Sequence, residues 1–392
     1  MPLKSLKILD FSTLLPGPYA TMMLADMGAD VLRVESPVRF DLTRNLAPLD
    51  KQGTSYVHRT LNRSKQSLAL DLKNKEAIEL IKKLVCSYDI LIEQFRPGVM
   101  KRLGLDYNTL KEINPKLIYC SITGFGQTGP YKDRAGHDIN YLAIAGTTSY
   151  TGTKESGPLP IGFQIADIAG GSLHCVTGIL AAVVDRQQSD KGEYIDISMT
   201  DAAFALNAMA GAQALGSNQS YGQEESVLNG GSFYNHYETK DGRYFSVGSI
   251  EPQFMQQLCE AIGKPELAKN GIDYSKQSQA PLISALTEEF KKHNFSYWQE
   301  VFIKLDACVE PTLDIIEASE HPQMKARGMV VSVPSLEGDN VKQIANPIKF
   351  SNHQAKYKFS GCNVGQHNNE VLRGLGFNIE EIKALKERKV FG

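Results

Sequence analysis

Residues 6–35 read "LKILDFSTLLPGPYATMMLADMGADVLRVE". A short apolar run with a polar end, Leu6 to Ser12, predicts a strand. The Pro- and Gly-containing "LLPGP" then predicts a loop, followed by a helical pattern ending near Gly28. "VLRVE", residues 31–35, predicts the next strand. This order is a βαβ unit, and it decides the fold class, because strands alternating with helices build a parallel sheet. The pattern recurs downstream. "SLALDL" (67–72) predicts a strand, "NKEAIELIKKLVCSY" (74–88) a helix and "DILIEQF" (89–95) a strand. Within that helix Ala77, Ile78, Leu80, Ile81 and Leu84 recur at helical spacing. "RPGVMKRLGL" predicts a turn and a short helix, and "PKLIYCSITGF" another strand. The expectation is an α/β protein with a Rossmann-like parallel sheet.

A Gly-rich, loop-like stretch covers Gly124 to Gly162. It is followed by the apolar helical segment "DIAGGSLHCVTGILAAVVDRQQS", beginning near Asp167. "GEYIDISM" predicts a strand. After residue 205 the composition turns polar, and "FYNHYETKDGRYFSVGS" predicts a hairpin. The reading divides the chain into a large domain over 1–205, a linker over 206–224, a smaller α+β domain over 225–325, and a return to the large domain over 326–392.

The chain has 392 residues, 42% apolar and 22% charged, with a formal net charge of −2. Two or three domains of roughly 150 residues each are expected. Near-neutral charge argues against nucleic-acid binding, which usually carries a basic patch and high pI. The six cysteines are scattered with no C-x-x-C pair. They are expected to be free buried thiols of a reducing compartment. The first residues lack the apolar core of a signal peptide, and no uninterrupted apolar run approaches roughly 20 residues. A cytoplasmic protein is expected.

"LLPGPYATM" is not G-x-G-x-x-G, so a nicotinamide dinucleotide site is not expected. Nor does the chain carry a Walker loop, H-E-x-x-H or G-x-S-x-G. No resident cofactor or metal is expected. Cations gather in the first domain instead: Arg33 and Arg39 at the end of the second strand, Arg63, Lys65 and Lys73 around the third, Arg96 and Arg102 after the fourth. The carboxyl ends of parallel strands are where open α/β sheets bind ligands, and the planar guanidinium suits phosphate. Asp167 opens the apolar helix, with Gly170 and Gly171 in its first turn. Helix capping alone would account for the aspartate. The glycines, each costing about 1 kcal/mol against Ala in a helix, would be explained by a closely approaching ligand. His137, in "AGHDINY", has the chemistry to take and return a proton near neutral pH. Asp138 or a distant carboxylate would orient its ring.

Read together, "LDFSTLLPGPYATMMLADMGADVLRVE", "LALDLK", "LIEQFRPGVMKRLGL", "LIYCSITGFGQTGPYKDRAGHDINY" and "GEYIDISMTDA" resemble the family III CoA-transferases (CaiB/BaiF). "DGRYFSVGSIEPQF", "HPQMKARGMV" and "GQHNNEVLRGLGF" extend the resemblance over nearly the whole chain. "GHDINY" and "GSIEPQF" resemble the branch that racemises 2-methyl-branched acyl-CoA thioesters. The resemblance implies His137 and Asp167 as the catalytic pair, with Glu251 pairing with the histidine. It implies contacts to CoA, a part of the substrate, at Leu70, Asp71, Leu72 and Lys73, at Gln94, Phe95 and Arg96, at Arg102, and along Gly136 to Tyr141. The family often carries Arg directly after "VE"; this chain has Ser36, and Arg39 is the expected substitute. An interlocked homodimer of two-domain subunits is also implied. The expected activity is racemisation or epimerisation by proton transfer through an enolate, stabilised by the helix N-terminus at Asp167. Two alternatives remain: CoA transfer between carboxylic acids through an anhydride on Asp167, and a non-catalytic acyl-CoA-binding protein.

Overall fold

The computed structural model describes residues 1–336 and 338–392. Strands that are apolar on both faces must lie inside a layered sheet, and β4 (Ile90–Glu93) and β5 (Ile118–Thr123) are buried at every position. They join β1 (Lys7–Asp10), β2 (Asp30–Glu35), β3 (Lys65–Ala69) and β6 (Tyr194–Ser198) in one sheet of order β3-β2-β1-β4-β5-β6. Every neighbouring pair is parallel, with Ile8 opposite both Val31 and Ile90. The strand order reverses between β1 and β4. At such a point successive connections leave in opposite directions and open a crevice beyond the carboxyl ends.

Helix α1 (Pro16–Asp26) follows β1, with Pro in its first turn, where the missing N–H costs nothing. Helix α2 (Lys75–Val85) begins at Asn74, whose side chain accepts from the Glu76 N–H. It buries Leu80, Ile81 and Leu84 in a cluster with Leu9, Leu32, Leu91 and Leu372. Next come α3 (Val99–Leu103), α4 (Asp138–Ile144) and one continuous helix over 166–189. That last helix is π-wound over Ala166–Leu173 before continuing as α5 (His174–Ser189). It packs on α1, β5 and β6. No uninterrupted apolar run spans it, but by length and composition alone the 24-residue Ala166–Ser189 is long and apolar enough to cross a membrane. Helix α6 (Met199–Ala205) closes against the π-wound segment.

These elements, with residues 322–392, form the larger unit, made of Met1–Ala145, Gly162–Leu206 and Pro322–Gly392. The smaller unit is Gly146–Ile161 with Asn207–His321. Residues 206–224, read from sequence as a linker, contain helix α7 (Ala208–Ser217). The smaller unit also has an antiparallel sheet of β7 (Asn235–Glu238), β8 (Tyr244–Val247) and β9 (Val309–Pro311). Its core is aromatic, with Phe245, Phe290 and Trp298 buried and the Trp298 indole donating to the Phe290 carbonyl at 3.0 Å.

Three of the cations proposed from sequence as ligand groups are structural. Arg33 lies in the middle of β2, 2% exposed, and donates to Asp41. Arg63 forms a two-point pair with Asp26, at 2.6 and 2.9 Å. Lys65 opens β3, fully buried, donating to Pro18 O at 2.8 Å and pairing with Asp10 at 3.4 Å. A charge taken out of water persists only with such partners. The cysteines are free, as expected, but Cys86 and Cys308 are exposed rather than buried.

Candidate active site

The crevice between β1 and β4 holds a cavity of about 720 Å³. The β1–α1 loop supplies Leu14 and the start of α1 supplies Pro16, and the β4–α3 turn supplies Gln94, Phe95, Arg96 and Pro97. Gln94 ties the two together, its Oε1 accepting from the Gly17 N–H at 3.0 Å. Leu14 takes a left-handed φ of 62°, held by its N–H donating to Asp41 Oδ2 at 3.1 Å. Asp41 is in turn fixed by the buried Arg33. The wall beyond β5 runs from Ile122 to Phe125 and resumes at Lys132.

His137 and Asp167 line this same cavity. His137 is the N-cap of α4, its N–H bonded to Asn140 Oδ1 at 3.1 Å, and it is exposed on the rim. Asp167 sits in the first turn of the π-wound helix, half-buried. Its carboxylate accepts no hydrogen bond from the described residues. Burial first, and then the charge of Asp138, push the Asp167 carboxyl up to about 6; the imidazolium of His137 pulls the other way. A carboxyl so placed exchanges a proton near neutral pH, which an ordinary aspartate does not.

Asp138 does not play the role expected of it. Its Oδ1 accepts the Asp167 N–H at 3.0 Å, and the Ala166 N–H also bonds it. It therefore caps the π-wound helix instead of orienting His137. Those two N–H groups, expected to hold an enolate oxygen, are already taken. The glycines of that helix have a packing cause and not a ligand one. A Cβ on Gly170 would stand 3.2 Å from Met199 O, and one on Gly171 3.1 Å from both Pro16 Cβ and Met199 Cγ. They let α1, α6 and the π-wound helix close on one another. Gly136 is likewise bare because Tyr141 lies over it, 2.6 Å from where its Cβ would be. The Tyr141 hydroxyl, pushed up to about 12 by burial, donates to Gly136 O at 2.5 Å.

Five cations line the cavity: Arg39, Arg96, Arg102, Lys132 and Arg134. None has a carboxylate partner among the described residues, and Asp167 is the one acidic residue on the lining. An excess of unpaired cations around a crevice is the arrangement that receives phosphate. Lys132 and Arg134 were missed in the sequence reading; the signal was the cation spacing in "KDRAGH", directly before His137. Leu70 to Lys73 are not on the lining. Leu70 is fully buried and bridges to Phe391, its N–H bonded to Glu35 O; Asp71 and Leu72 are half-buried and Lys73 is exposed. Glu251 belongs to the smaller unit, exposed at the N-cap of α8 (Pro252–Ala261).

Residues 3–368 match the family model described as CoA-transferase family III, and the chain belongs to that family. It is 34% identical to the alpha-methylacyl-CoA racemase of Homo sapiens, over 100% of this chain and 97% of that one. It is 32% identical to the succinate–glutarate CoA-transferase of Agrobacterium fabrum, over 95% of this chain and 96% of that one. Among solved structures it resembles a CaiB/BaiF family protein from Brucella suis, with a TM-score of 0.83 and 32% identity, covering 96% of this chain and 99% of that one. The larger unit's fold and the family together fit an acyl-CoA substrate, and the relatives divide between racemase and transferase.

Proposed function

We propose that this member of CoA-transferase family III is a racemase or epimerase of 2-methyl-branched acyl-CoA thioesters, needing no resident cofactor. The observation that carries the reading is one cavity lined by both an imidazole and a carboxyl raised to about 6, beside five cations with no carboxylate partner among the described residues. Arg96, Arg102 and their neighbours receive the phosphates of CoA. The thioester carbonyl acidifies the α-carbon. One group of the pair, His137 or Asp167, takes the C2 proton; the C–H electron pair moves into an enolate; the other group delivers a proton to the opposite face. One proton leaves and one returns, and the configuration at C2 inverts. Asp138 occupies the N–H groups of Ala166 and Asp167, so the enolate oxygen is not received at that helix start. Acid–base groups of this kind contribute roughly 10²–10⁴ in rate each.

The test is deuterium wash-in at C2 of a 2-methylacyl-CoA, with no acceptor acid present. The wild type should exchange, and His137→Ala should lose exchange while still binding CoA. Full exchange in that variant refutes the two-base assignment. The transferase reading draws on the same uncapped Asp167 carboxylate. There it would attack the thioester carbonyl and expel CoA as thiolate, which would then return to the aspartyl carbonyl and release the donor acid. That reading predicts an aspartyl–CoA thioester trapped by hydroxylamine, and no wash-in without acceptor.

A further inference from the structure

We propose that Glu93 is a positioning residue for the CoA phosphates: its buried carboxylate fixes the turn that presents Gln94, Arg96 and Arg102 to the cavity. The inference rests on the acyl-CoA reading of that cavity. Glu93 ends β4, is 4% exposed, and does not line the cavity. Its Oε2 accepts the Phe95 N–H at 2.8 Å, and the Ser121 hydroxyl donates to the same carboxylate. A β-strand can hold its last residue through sheet pairing, as Glu93 pairs with Ser121. The next residues have no strand to pair with. The Phe95 amide is the first one past the sheet whose direction must be set, and the carboxylate sets it. From there the chain turns through Pro97 and the left-handed Gly98 into α3, carrying two of the five cavity cations. No cation pairs with Glu93 among the described residues, so a neutral hydrogen-bonding residue would serve folding as well. An ionised acceptor roughly doubles the strength of the bond to the amide.

The groups facing Glu93 are Tyr119 and Cys120 of β5 and Tyr194 and Asp196 of β6. Burial raises both tyrosines, and the Cys175 contact and then burial raise the Cys120 thiol, so all three stay neutral; Asp196 is the other acid. Burial first, and then the charge of Asp196, lift Glu93 to about 7, against its two hydrogen bonds. The carboxylate is therefore ionised above about pH 7 and protonated below. The amide bond, and with it the cation turn, should tighten as pH rises through that value.

The test measures the Kd of a non-hydrolysable S-alkyl CoA thioether at pH 6, 7 and 8, for the wild type and Glu93→Gln. Taking the ratio of the two removes the titration of the ligand's own phosphates. The variant should bind ~5–10-fold more weakly at pH 8, with the ratio falling toward one at pH 6. A ratio that is pH-independent, or is one throughout, overturns the inference while leaving the acyl-CoA reading intact. A wild-type protein that binds no CoA compound overturns both. A second measurement does not depend on the variant folding. In wild-type protein labelled with ¹⁵N-Phe, and assigned with Phe95→Leu, the Phe95 amide resonance should move with a midpoint near pH 7. A resonance that stays fixed from pH 6 to 8 overturns the role.

Discussion

Asp138→Asn separates two effects that one carboxylate exerts on Asp167. In the wild type Asp138 Oδ1 accepts the Asp167 N–H at 3.0 Å. Asparagine keeps an acceptor oxygen at that position, so the π-wound helix stays capped, but the negative charge is gone. Burial, the largest cause of the raised Asp167 carboxyl, is untouched, and so is the opposing influence of His137. The Asp167 midpoint must therefore move down from about 6, to a value above the ordinary 3.8. For a midpoint of about 5, the ionised fraction at pH 5.5 rises from about a quarter to about three quarters, a gain of about threefold. The proposed reaction needs one proton shared between His137 and Asp167, so its acid limb is the second protonation, at Asp167. The assay is kcat/KM for C2 deuterium wash-in from pH 4.5 to 8, where the acid limb should shift to lower pH. Stability gives an independent check. A carboxyl raised in the folded state binds more protons there than in the unfolded chain between pH 3.8 and about 6. Stability thus falls as pH rises across that window, and the variant should show a shallower fall between urea midpoints at pH 4 and 6.5. An acid limb that does not move, in a variant that folds and binds CoA, refutes the electrostatic account of Asp167.

Gly170→Ala places a methyl group 3.2 Å from Met199 O, a backbone atom that cannot rotate away. Overpacking of about 1–3 kcal/mol should outrun a helix-propensity gain of about 1 kcal/mol, so the urea midpoint should drop; an unchanged or raised midpoint removes the packing explanation. Asp26→Ala strips the buried Arg63 guanidinium of its carboxylate, leaving the Ile344 carbonyl and Gln343 as partners. A loss of about 3–5 kcal/mol is expected, largely recovered in Asp26→Ala/Arg63→Met. Equal instability of the single and double variants would show that the ion pair is not the cause.

The parallel sheet was legible because strands buried on both faces must be written as continuous apolar runs, and "LKILD", "DILIE" and "LIYCSIT" are such runs. The charges were harder. Arg33, Arg63 and Lys65 look like Arg39, Arg96 and Arg102 in the sequence, each a cation near a strand end. What separates the two groups is a carboxylate partner, and those partners lie 8, 37 and 55 residues away. Spacing of that kind carries no local signal. Asp138 was misread for the opposite reason. Adjacency to His137 suggested a shared task, but consecutive residues of a helix do not face each other. Its partner, at Asp167, is 29 residues further on. The glycine pair of the 166–189 helix had two physical causes open to it, a ligand or a neighbouring helix, and only the positions of Met199 and Pro16 decide between them.

The reaction class turns on His137 more than on Asp167. A carboxyl near 6 is a competent proton carrier at neutral pH, and its raised basicity also makes it a better nucleophile than an ordinary aspartate. The surroundings of Asp167 therefore serve inversion and acyl transfer equally. They diverge in what else each needs. Transfer through an anhydride makes and breaks bonds at the thioester carbonyl, and the C2 proton is a spectator. Inversion removes that proton from one face and replaces it from the other, so it requires a second proton carrier across the carbon. Under the proposed inversion, the imidazole lining the same cavity would be that carrier. Loss of Asp167 should abolish either reaction and so discriminates nothing. Loss of His137 should abolish inversion alone, and a protein that still transferred CoA between acids without it would be a transferase.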